Sequence, residues 1–135
     1  MIDTKMVKDL LQTIGEGQYV GTPNTKLMDA FVGDLEEADE NAREKFIYHM
    51  DELFSADLYR SKDLGDEYGW GAISGIDGHI SIAETNLVLT PVGGEVLEEL
   101  MKPKGLERMK SAIRSVGAMA GSEAVKYAVG ELLKS

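Results

Sequence analysis

An α+β fold is predicted by three features of this 135-residue sequence. Apolar residues recur at helical spacing through most of the first 54 positions. A glycine-rich stretch follows, in which WGAISGIDGHISIAE contains Asp77-Gly78, the strongest hairpin signal in the chain. Helical spacing resumes at Thr90-Pro91 and runs on through Leu133. The length fits a single domain that buries a core without metal or disulfide staples.

The first helix starts at Asp3, a good N-cap, and places Met6, Val7, Leu10, Leu11 and Ile14 on one face. Gly15 and Gly17 end it. VGTPNT reads as a turn, with Asn24 or Thr25 as the next cap. Leu27, Met28, Phe31, Val32 and Leu35 repeat the helical pattern around Gly33, and the acids of 34–40 form a solvated connection. Asp39 or Asn41 caps a third helix, Asn41 and Glu44 having capping-box spacing. Its buried stripe is Phe46, Ile47, Met50, Leu53 and Phe54. Asp57 stands at a left-handed turn position, and Leu58-Tyr59 begin a strand.

With Asp77-Gly78 as a two-residue type I′ loop, Ile73 faces Ile82 and Gly75 faces Ile80. Ile73, Ile80 and Ile82 then share the half-buried face of the ribbon. Leu87-Val88-Leu89 adds a third strand after the Thr85-Asn86 turn. Thr90 caps the next helix with Pro91 at its first position, and Val92, Val96, Leu97, Leu100 and Met101 face inward. Lys102-Pro103-Lys104-Gly105 breaks it. Leu106, Met109, Ile113 and Val116 mark a further helix, 117–121 a break, and Ser122-Glu123 the start of a last helix. That helix buries Val125, Ala128, Val129, Leu132 and Leu133.

Three helices, a β-ribbon and a helix are the layout of a winged helix-turn-helix, here with two helices added. Residues 1–101 form the core, and 102–135 belong to the same domain or serve as a dimerisation element. Tyr48-His49-x-x-x-Leu53 running into Ala56-Asp57-Leu58-Tyr59 resembles the step from helix to strand in such folds. Leu89-Thr90-Pro91-Val92-Gly93 resembles the step that closes the wing. With the tail GAMAGSEAVKYAVGELL, these resemble an uncharacterised family of small bacterial and prophage proteins with a winged-helix core, over about Met6 to Leu133. Asp57, where glycine is usual, and a long ribbon at 60–86 depart from that pattern. The resemblance implies a fold and a phage-related origin, and no activity.

Charge argues against the obvious use of that fold. The net charge is −10, and residues 29–67 hold thirteen acids and four bases. The third helix turns Glu40, Asn41, Glu44, Lys45, Tyr48, Asp51 and Glu52 away from its stripe. Arg43 and Lys45 are its only bases, and Asp39 is placed to compete for Arg43. No Lys or Arg occurs from 63 to 101, so the wing brings no cation to phosphate. The fold suggests a non-catalytic regulator of transcription, and charge disfavours its DNA binding; Arg43, Lys45, Tyr48 and Glu44 are the candidate contacts to DNA or another partner. Lys104, Arg108, Lys110 and Arg114 form a second candidate basic face. The alternative is an acidic protein-interaction module of phage origin that does not bind DNA, a dimer through the C-terminal helices acting as a DNA mimic or an inhibitor of a host protein. Small residues at Gly117, Ala118, Ala120 and Gly121 would allow close approach of two copies.

Catalysis finds little support. The chain has no cysteine, which excludes disulfides, thiolate zinc sites and cysteine nucleophiles and fits a reducing cytoplasm. MIDTKMVKDLL is not a secretory signal, and no apolar run approaches membrane length. His49 and His79 are the only histidines, the first expected inside and the second outside. The acids of 34–40 lack EF-hand spacing, and Gly69-x-Gly71-x-x-x-Gly75 lacks the dinucleotide spacing and a following helix. The sequence thus predicts a non-enzyme with no cofactor and no metal, in which Trp70 and the methionines serve packing.

Overall fold

A computed structural model describes residues 1–116 and 121–134. The elements in chain order are α1 (Thr4–Glu16), β1 (Thr22–Pro23), α2 (Asn24–Phe31), α3 (Glu40–Ser55) and β2 (Tyr59–Ser61). A 3₁₀ turn (Asp66–Tyr68) precedes β3 (Ala72–Ser74) and β4 (Ile80–Ile82), which are followed by β5 (Asn86–Leu89). Three helices complete the chain: α4 (Pro91–Met101), α5 (Gly105–Ser115) and α6 (Gly121–Leu133). The result is a mixed α+β protein with six helices and two small antiparallel sheets among the described residues.

Side-chain caps begin three of the six helices among the described residues. The Asp3 carboxylate accepts from the Met6 amide, Asp39 from Ala42, and the Thr90 hydroxyl from Gly93. α2 has no side-chain cap and stops at Phe31, one turn short of the expected Leu35. Gly33 takes φ +79° there, and its amide donates back to the Met28 carbonyl, so the glycine ends the helix. Asp57 does occupy a left-handed position, with φ +62°.

VGTPNT is more than a turn. Thr22 and Pro23 pair with Leu87 and Asn86, making β1 an edge strand where proline's missing donor costs no ladder bond. The strand order is β1-β5-β2, all antiparallel, so β5 lies in the middle. The expected three-stranded wing is therefore divided. β3 and β4 form a separate two-stranded ribbon inserted between β2 and β5.

The ribbon register also differs from expectation. Ala72 pairs with Ile82, Ile73 with Ser81 and Ser74 with Ile80. The loop holds three residues, because the Gly75 amide donates to His79 O and Gly78 takes the left-handed position at φ +82°. A shift of one residue exchanges faces. Ile80 and Ile82 pack on the core while Ile73 points outward.

One apolar core unites the elements. Val7, Leu10, Leu11 and Ile14 of α1 meet Phe46, Met50 and Leu53 of α3, Leu87 of β5 and Val96 and Leu100 of α4. Met109 and Ala112 of α5 and Val125, Ala128 and Leu132 of α6 lie in the same cluster. The C-terminal helices thus pack on their own chain, α6 against α3 and α4 and α5 against α1. Of the small-residue stretch proposed for close approach, 117–120 lies outside the described residues. Gly93 is required by packing, since a Cβ there would overlap the Leu58 carbonyl.

Candidate functional site

α3 presents its stripe to the core as expected, with Phe46, Met50 and Leu53 fully buried and Ile47 and Phe54 partly so. His49 joins them at 0% exposure. Its Nδ1 lies 2.8 Å from the Lys45 carbonyl, and its Nε2 accepts from the Asp3 amide at 2.8 Å. A carbonyl on one side and an N–H on the other fix the neutral tautomer with the proton on Nδ1. Desolvation pushes the imidazole below its usual pKa.

The outward face is where the candidate contacts stand, and its two bases are already engaged. Lys45 Nζ meets Asp3 Oδ2 at 2.7 Å, a bond that holds the Asp3 carboxyl below the usual range. Arg43 is not paired with Asp39, whose carboxylate is occupied as the helix cap. Its guanidinium instead donates to the Leu35 carbonyl at 3.4 Å and lies 3.8 Å from Glu44. Tyr48 is half-buried, and desolvation followed by the charge of Glu52 raises its hydroxyl pKa. Glu40 and Glu44 remain exposed.

The ribbon is fastened to this helix through Trp70 and to the α2–α3 connection through His79. Trp70, 2% exposed, stacks edge-on against Phe46 at 5.4 Å and donates its Nε1–H to Asp51 at 3.1 Å. Burial raises the Asp51 carboxyl, and the indole bond partly opposes it. At the tip, His79 Nε2 meets Glu36 at 2.6 Å. The resulting cleft of about 420 Å³ brings Arg43 and Glu44 together with Glu36 and His79. Glu44, Lys45 and Tyr48 line a second hollow beside Met1. Glu52 behind them is raised by burial and by Asp51, and its Oε2 is buried without a hydrogen-bond partner among the described residues.

The second set of candidates does not act as one face. Arg108 bonds Glu99 at 3.2 Å and the Leu132 carbonyl at 3.1 Å, where it satisfies the C-terminal end of α6. Lys102 shares Glu99 with it, and these contacts hold the Glu99 carboxyl low, the Lys102 bond first. Lys104 sits at the N-cap of α5 with φ +68°, and Lys110 and Arg114 are exposed.

A different pair of cations lies outside both candidate sets. In β2, Tyr59 and Ser61 point inward and Arg60 outward. Arg60 and the next outward residue, Lys62, edge a groove of about 640 Å³. The alternation was the available signal. No helix is long and apolar enough to cross a membrane among the described residues. No family model, no curated protein and no solved structure matches the chain.

Proposed function

We propose that the chain is a winged-helix protein that works by binding, and that α3 with its ribbon takes a basic protein segment and not duplex DNA. The winged-helix reading is supported by the β1-β5-β2 strand order, by β1 following the first helix, and by the ribbon inserted between β2 and β5.

The choice of partner rests on one observation. The bases of α3 are paired within the chain, Lys45 with Asp3 and Arg43 with Leu35 and Glu44, while Glu40 stays exposed with no cation partner among the described residues and Glu44 keeps most of its surface. The residues from 63 to 101, which include the ribbon, add no Lys or Arg. Each phosphate contact that is missing removes a share of DNA affinity and of its salt dependence. A cationic partner gains from the same field that repels DNA.

The test is anisotropy of a labelled random duplex and of a labelled lysine-rich peptide, both at low salt. The peptide binds, and E40Q/E44Q weakens it. The duplex stays unbound up to about 0.1 mM, the weak end of ordinary non-specific affinity. Micromolar duplex binding that R43A/K45A abolishes would reverse the assignment.

A further inference from the structure

We infer that the groove edged by Arg60 and Lys62 is a binding site for a small organic anion with an apolar body, separate from the α3 face. The groove forms where the last turn of α1, the outward side of β2 and β5, and the first turn of α4 converge. Its volume of about 640 Å³ lies within the range of small-ligand sites. Gly15, Tyr19, Leu89 and Pro91 give it apolar walls, and no carboxylate is among its lining residues.

Three features mark this groove. The first is charge. Among the described residues seven of the fourteen bases pair with carboxylates, and Arg60 and Lys62, unlike the other unpaired bases, stand together at the edge of one groove. Arg60 has no ion pair or hydrogen bond among the described residues, and Lys62 reaches only the Val20 carbonyl at 3.4 Å. Like charges at neighbouring same-side positions repel unless an anion sits between them. The second is Gly94. It lies in the first turn of α4, where glycine weakens a helix relative to alanine. A Cβ at this position would meet nothing within 4 Å, so no packing contact requires the glycine, yet it lines the groove. The third is Tyr19, an aromatic ring 92% exposed at the rim. A ligand with a flat or alkyl body would cover that ring while its anionic head bridges the two cations.

The probe is 8-anilinonaphthalene-1-sulfonate, titrated into the full chain and followed by fluorescence, with uncharged N-phenyl-1-naphthylamine as its control. A single saturable site is expected for the sulfonate. R60A/K62A, two exposed positions, weakens the sulfonate at least about tenfold, the size of one charge-assisted hydrogen bond, and leaves the uncharged dye unchanged. G94L lowers the affinity of both dyes by filling the groove. Decanoate displaces the sulfonate if the natural ligand is a free amphipathic acid. No saturable binding, or equal affinity in R60A/K62A, would overturn the proposal. So would displacement by phosphatidylglycerol vesicles without displacement by decanoate, which would point to a membrane surface instead.

Discussion

Acidifying the protein from neutral pH challenges His49 before any other buried group. The ring is completely enclosed, receives an N–H from Asp3 at Nε2 and meets the Lys45 carbonyl through Nδ1. Protonating Nε2 would set two donors against each other and place a charge in the core. Burial, Lys45 and the N-terminal amine all oppose the imidazolium, and Asp3 and the Lys45 carbonyl only partly favour it. The folded pKa is depressed below 6.5, so native and unfolded chains are both neutral at His49 above that pH. As pH falls below 6.5, the unfolded chain takes up the proton first and stability drops until the folded pKa is reached. The slope approaches about 1.4 kcal/mol per pH unit for one proton. Asp51 and Glu52 have raised folded pKa values, so they add stability as pH falls through those values and partly mask the loss. Asp3 acts in a lower window, where its contribution is lost below pH 3.8. Urea unfolding at steps of pH from 7.5 to 4.5, on wild type and H49L, isolates the His49 contribution. The difference between wild type and H49L should narrow steadily on acidification. A difference independent of pH would refute the tautomer assignment.

Two neighbouring glycines should respond in opposite directions. G94A stabilises by about 0.5–1 kcal/mol in urea unfolding, since its Cβ enters open space on a helix. G93A destabilises, because the Leu58 carbonyl already occupies the position of its Cβ. D51N keeps an acceptor for the Trp70 indole and removes a carboxylate whose pKa burial raises. Asp51 favours folding below its unfolded pKa of 3.8 and loses that contribution as pH rises through the folded value, so D51N should gain on wild type from pH 3 to pH 7. W70F leaves the ribbon without its tie to α3, and amide exchange in 72–82 should accelerate while α1 is unaffected.

The parts of the fold readable in sequence are those specified locally. Asp3, Thr90-Pro91 and the stripe from Phe46 to Leu53 each announce a helix within one or two turns. β1 was invisible because two residues hold their extended form only through Leu87 and Asn86, more than sixty positions away. The ribbon register was ambiguous because Gly78 serves a two-residue or a three-residue loop equally well, and the choice between them reverses which isoleucine is buried. The candidate site was legible in composition and illegible in pairing. The acids of α3 can be counted, but the neutralisation of Lys45 comes from Asp3 at the other end of a long loop closure, and that of Arg43 from a backbone carbonyl. Helix spacing rules pointed to Asp39 instead, which the helix terminus had claimed.

The most direct test of α3 as a face closed to DNA is a ¹H–¹⁵N correlation spectrum of the labelled protein, recorded at low salt with and without a random duplex. The amides of Glu40–Ser55 should hold their positions with the duplex and shift, Glu40 and Glu44 foremost, when a lysine-rich peptide is added. Shifts across that helix on adding the duplex, with none from the peptide, would contradict the assignment.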